Sequence, residues 1–134
     1  MKLKIILLFF LFFFNDLVLS NENKILFKVE NEIITSLDIL NEIRYLNSVN
    51  NSFQNINENK KFQIAKNSLI KDKIKIIALS SILEKIELND KDFKRIAVSS
   101  YASVGVNNYD QLIDHLNQFN IDLKMLKKKI SISS

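Results

Sequence analysis

Cysteine, proline and tryptophan are absent from this 134-residue chain, which has one glycine, Gly105, and one histidine, His115. Without thiols, neither a disulfide framework nor a thiolate metal site can be built. A lone histidine cannot assemble the usual His/Cys zinc site within one chain. A single glycine rules out a glycine-rich phosphate loop. Charge of either sign is also modest. The net charge is +4, and it falls to +3 once Lys2, Lys4 and Asp16 are set aside with the first 20 residues. The richness in Asn, Lys, Ile and Phe follows AT-rich coding, so a pI near 9.2 argues for no nucleic-acid partner.

What the chain does have is apolar residues, 47% of the total, in enough length for one domain. The stretch from Phe62 to Leu88 holds neither Gly nor Pro and reads as one helix about 40 Å long. Phe62, Ala65, Leu69, Ile70, Ile76, Ile77, Leu79 and Leu83 share one broad face of it, while Ile64, Ile74, Ile82 and Ile86 fall outside that face. Such a spine needs neighbours on more than one side.

Met1 to Ser20 has the layout of a secretory signal. Lys2 and Lys4 start it, Ile5 to Phe14 is its apolar run, and Val18-Leu19-Ser20 is the cleavage box. The run is shorter than the ~20 residues a membrane span needs, and Asn15 and Asp16 interrupt it. An uncleaved anchor is the rival reading. Either way the remainder, residues 21–134, is exported, and with no lipobox cysteine a Gram-negative cell would hold it in the periplasm.

Lys24 to Ile34 reads as a two-stranded unit turning at Glu30-Asn31-Glu32, with Asn31 expected to take the left-handed conformation. Thr35 and Asp38 have the spacing of a helix cap. Leu37, Leu40 and Ile43, flanked by Ile39 and Leu46, give that helix its expected buried stripe. Ser48 to Asn59 reads as a loop in which Phe53 is either a core anchor or an exposed contact. Asn89 with Asp92 caps a further helix, running through Phe93, Ile96, Ala97, Ser100, Tyr101 and Val104 to a stop at Gly105. Asn107 is expected to open the next helix, carrying Tyr109, Leu112, Ile113 and Leu116. Asn120-Ile121-Asp122 separates it from a last one carrying Leu123, Leu126 and Ile130.

Residues with reactive side chains have plainer explanations. His115 lies between Leu112 and Leu116 and reads as a surface histidine. Ser99, Ser100 and Ser103 read as small residues for close packing. The carboxylates Glu84, Glu87, Asp90 and Asp92 are explained in part by helix termini, and Lys127 to Lys129 by a solvated helix end that complements the dipole. No catalytic residue, cofactor site or metal site is expected.

Three segments together resemble the N-terminal domain of SurA-type periplasmic chaperones, a group related to the parvulin-type prolyl isomerases of the cell envelope. They are Ile33-Ile34-Thr35-Ser36-Leu37-Asp38-Ile39, Leu69-Ile70-Lys71-Asp72-Lys73-Ile74 and Leu88-Asn89-Asp90-Lys91-Asp92-Phe93, in that order behind an exported leader. The resemblance covers about residues 24 to 131. It implies a mainly α fold of the trigger-factor C-terminal kind with an N-terminal β-hairpin. It also implies an ATP-independent activity, the holding of unfolded outer-membrane proteins in an apolar groove to which Phe53, Ile70, Ile77 and Tyr101 would contribute. The chain departs from the family where Glu84 to Glu87 replace the glycine often found late in the long helix. It also ends before any isomerase domain and before the distal helix that completes the family's core. Part of the spine should then be uncovered, open to clients or buried by a second copy. The alternatives are the leading piece of a prolyl isomerase and a membrane-anchored helical interaction module.

Overall fold

The computed structural model describes the backbone of residues 23–83 and 88–133, and side chains in the long helix as far as Leu79. Strands β1 (Ile25–Val29) and β2 (Glu32–Thr35) form an antiparallel hairpin. Phe27 stands opposite Ile34, and both face the interior; the next pair, Lys28 and Ile33, faces outward and leaves Ile33 43% exposed. The register slips between Ile25 and Phe27, so Leu26 is an extra, outward residue. The positive φ falls on Glu30, at 52°, and not on Asn31 as expected. Because Val29 pairs with Glu32, the turn shrinks to two residues, and the left-handed position falls on the first of them.

Helix α1 (Ser36–Val49) begins at the expected capping box. Asp38 N–H donates to Thr35 Oγ1 at 3.2 Å, and Thr35 N–H donates to Asp38 Oδ2 at 2.8 Å. Its buried face differs from the expected stripe: Ile39, Glu42, Ile43 and Leu46 turn inward, while Leu37 and Leu40 are outside, 47% and 44% exposed. The reason is Glu42, an acid in the middle of the inward face, which hydrophobic periodicity steers away from and whose partners come from elsewhere in the chain. The expected loop is also shorter. Ser48 and Val49 finish α1, and α2 (Asn51–Gln54) is a single turn capped by Asn50. Helix α3 then starts four residues earlier than expected and runs Glu58–Leu83.

Asn89 accepts from Asp92 N–H at 2.9 Å and opens α4 (Asp90–Ser100). The helix does not continue to Val104: Tyr101 N–H bonds back to Val98 O at 3.1 Å, and a 3₁₀ turn, Ala102–Val104, follows. Gly105 closes that turn with φ at 90°. Asn108, not Asn107, caps α5 (Tyr109–Gln118), and Asn120, also left-handed, leads to α6 (Leu123–Ser133). The whole is a mainly helical small domain of six α-helices with a short N-terminal hairpin, counted among the described residues.

Two apolar clusters hold it together. The larger gathers Phe93, Ala97, Tyr101, Val106, Leu112, Leu116, Ile121, Leu126 and Ile130 from α4 to α6, with Tyr45 and Val49 of α1 packed against it. The smaller joins Ile34 and Ile39 to Ala65, with Phe27, Val29, Ile43, Leu46, Phe62, Leu69 and Ile70 around them. Helix α1 belongs to both. Helix α3 belongs only to the second and only as far as Ile70: among the described residues, Ile74, Ile76, Ile77 and Leu79 are in neither cluster. Of these, Ile74 is exposed while Ile76, Ile77 and Leu79 are half-buried, so the described part of the spine is less covered beyond Ile70 than before it.

Candidate functional site

The charged centre of the molecule lies where α1, α3 and α6 meet. Glu42 on α1 is 1% exposed and accepts from Lys129 Nζ of α6 at 2.5 Å. The same ammonium reaches Asp72 Oδ2 on α3 at 2.6 Å, so one cation joins three helices. Ser68 Oγ donates to the second Glu42 oxygen at 2.7 Å, and the Tyr45 ring lies 5.1 Å from Lys129 Nζ. Burial pushes the Lys129 pKa down, but Glu42 and Asp72 outweigh it and hold the ammonium above the ordinary lysine value. The expectation of a solvated lysine run is thus wrong at Lys129, whose side chain is 13% exposed. Helical spacing explains why: Lys129 directly precedes buried Ile130, on the inner edge of α6.

Beside this triad is a cavity of about 140 Å³ with apolar walls from Leu69, Ile76, Met125 and Ile132. A wider trough of about 450 Å³ adjoins it and shares Ile76, Lys128 and Ile132. One rim of the trough is the face of α6 that carries Lys124, Lys127, Lys128 and Ser131. Glu32 stands among the lining residues, held by Lys73 Nζ at 2.6 Å; that bond and charge keep its carboxyl below the usual carboxylate range.

A second polar node ties the end of α1 to the α4–α5 lobe. Ser48 Oγ donates to Tyr45 O at 2.7 Å and lies 3.1 Å from Tyr101 Oη, while His115 Nε2 is 2.8 Å from Ser48 O. The His115 ring meets Tyr101 edge-on at 5.6 Å and Phe119 at 5.0 Å. His115 is therefore a packing residue, not the expected surface histidine: it sits one position before Leu116, close enough to the buried stripe for its ring to reach inward. Burial pushes the Tyr101 hydroxyl up to about 12.

The four residues expected to contact a client separate into two pairs. Phe53, 4% exposed, and Tyr101, fully buried, are interior, so neither ring is presented to solvent. Ile70 and Ile77 are half-buried and share one strip of α3 with Ile74, which is 54% exposed. Ser99, Ser100 and Ser103 are exposed and do not pack closely as expected; Ser100 Oγ donates to Ile96 O at 2.8 Å. Glu84 and Glu87, two of the four carboxylates noted near the end of the long helix, lie outside the described residues, as do the leader and its cleavage box. Among the described residues no group of three potential metal ligands occurs, and no helix is long and apolar enough to cross a membrane.

Sequence reasoning passed over Glu42, Ser48 and Lys129. An acid inside an apolar helical stripe was the one available signal, and it pointed to Glu42 alone. Chemically, one ammonium is shared by two carboxylates, and the hydroxyl beside them, Ser68, donates to Glu42. The triad fastens helices together. The described surface also offers an apolar strip on α3 and the lysine-rimmed trough. No family model, no curated protein and no solved structure matches this chain.

Proposed function

We propose that this chain is an ATP-independent holding chaperone of the periplasm, exported by its N-terminal signal, that keeps outer-membrane proteins unfolded in transit. One observation carries the reading: among the described residues, the long helix beyond Ile70 belongs to neither apolar cluster, and Ile74 on it is 54% exposed. An uncovered apolar strip offers many weak contacts to extended segments, which gives modest affinity and loose sequence preference. The hairpin adds a separate outward apolar group at Ile25, Leu26 and Ile33. The resemblance of Ile33–Ile39, Leu69–Ile74 and Leu88–Phe93 to SurA-type chaperones favours this use of the surface over a purely structural one.

The purified mature chain is expected to slow aggregation of a denatured β-barrel protein diluted from urea. An Ile74→Asp/Ile77→Asp variant should lose most of that protection. Light scattering that rises unchanged at a several-fold excess of the chain would overturn the reading.

A further inference from the structure

We infer that the trough between α6 and α3 is a binding site for a single-chain amphipathic anion, a carboxylate or phosphate head on an unbranched acyl tail. The inference does not rest on the chaperone reading, since it concerns the opposite flank of α3 from Ile74. Three observations carry it.

The first is charge. On α6, Lys124, Lys127 and Lys128 follow helical spacing and line the trough together. Lys127 is engaged by Asp90 at 3.3 Å, whereas Lys124 and Lys128 form no ion pair among the described residues. The nearest acid across the trough, Glu32, is already bound to Lys73 at 2.6 Å. Lys128 feels the Glu32 charge across the trough but does not pair with it, so the rim carries more cations than Glu32 and Asp90 can match.

The second is the floor. Ile76 and Ile132 line the trough and continue into the smaller cavity, where Leu69 and Met125 join them. Apart from Lys128, which the cavity shares with the trough's rim, its charged groups are engaged. Lys129 is held by Glu42 and Asp72, Asp38 closes the helix cap, and Asn41 accepts from Arg44. An entering group therefore meets satisfied charges and free apolar walls, which suits a hydrocarbon tail.

The third is shape. Unpaired surface lysines are ordinary, but these edge a concavity of about 450 Å³, within the ~300–1,000 Å³ of small-molecule sites. A flat anionic bilayer would meet only the lysine tips and leave the floor empty. Concavity, apolar floor and unpaired cations together select a monomeric amphiphile.

The test is calorimetric titration of the protein, purified as its host processes it, with dodecanoate and dodecyl phosphate below their micelle concentrations. Dodecanol and dodecyltrimethylammonium serve as controls of equal tail length. Binding of both anions is expected, at least ten-fold tighter than either control. The exposed pair change Lys124→Gln/Lys128→Gln should weaken it ten-fold or more without moving the thermal midpoint. Amide shifts should cluster at residues 124–132 and 69–76. The inference is overturned if the alcohol or the ammonium binds as tightly as the anions, or if the double variant binds like the parent. It is equally overturned if only vesicles of anionic phospholipid bind, which would make the lysines a planar surface contact.

Discussion

At the scale of single residues, the decisive feature is one ammonium shared between two carboxylates. Removing one partner of a buried ion pair leaves the other desolvated and uncompensated, at a cost of about 3–5 kcal/mol. Lys129→Met is therefore expected to lower the unfolding free energy measured in urea by an amount in that range, with Glu42 and Asp72 left facing each other. Glu42→Leu/Lys129→Met together should cost less than Lys129→Met alone, because no lone charge is then left at the position of Glu42. If the two costs simply added, the pair would not be coupled. Alkaline pH tests the same neighbourhood. Burial raises Tyr101 to about 12 and raises Tyr45 as well, and Lys129 is raised by its carboxylates. A folded pKa above the unfolded one stabilises fully below the unfolded value and ceases to do so as pH climbs through the folded value. Stability should thus be flat up to about pH 10 and fall as pH rises towards the value of about 12 held by Tyr101, tyrosinate absorbance rising with unfolding. Tyr101→Phe should remove part of that fall.

At the scale of elements, local chemistry explains where helices begin better than which way they face. Thr35 with Asp38, Asn89 with Asp92, and Gly105 act as their spacing suggests, because caps and left-handed stops depend on neighbours within a few residues. Thr35→Ala should accordingly cost about 1 kcal/mol in urea unfolding, with the slope unchanged. Facing is set by distant partners. Leu37 and Leu40 look as apolar as Ile39 and Ile43, but burying Glu42 against Lys129 rotates α1 so that they point outward. The same limit explains Phe53, which a segment without helical period could not place, whereas Tyr101, four residues after buried Ala97, follows the spacing of its own helix. Ile70 and Ile77 were legible as members of one strip because helical spacing alone puts them there. The trough was not legible: its rim, floor and opposite wall come from α6, α3 and the hairpin.

For the whole molecule, the arrangement among the described residues is two apolar clusters sharing α1, with α3 beyond Ile70 outside both as far as Leu79. Helix propensity alone holds a short exposed helix only marginally, so cover should set local stability. Hydrogen exchange followed residue by residue should show amides near residues 74–79 exchanging well before those of α1 and of α4 around Phe93 to Tyr101. Equal protection along α3 would mean that its distal half is covered after all, and would remove the support for client holding with it. That the chain is helical with a leading hairpin could be read from pattern and caps; that it divides into two clusters could not, because the division follows from which faces find each other.

The clamp at Lys129 also bears on how the protein comes into being. A ribosome delivers Glu42 and Asp72 long before it delivers the cation that stands between them. Until then two acids oppose the closure of α1 on α3, which Ile39, Ile43, Ala65 and Leu69 favour. The last helix made is thus the one that relieves a repulsion between the first ones.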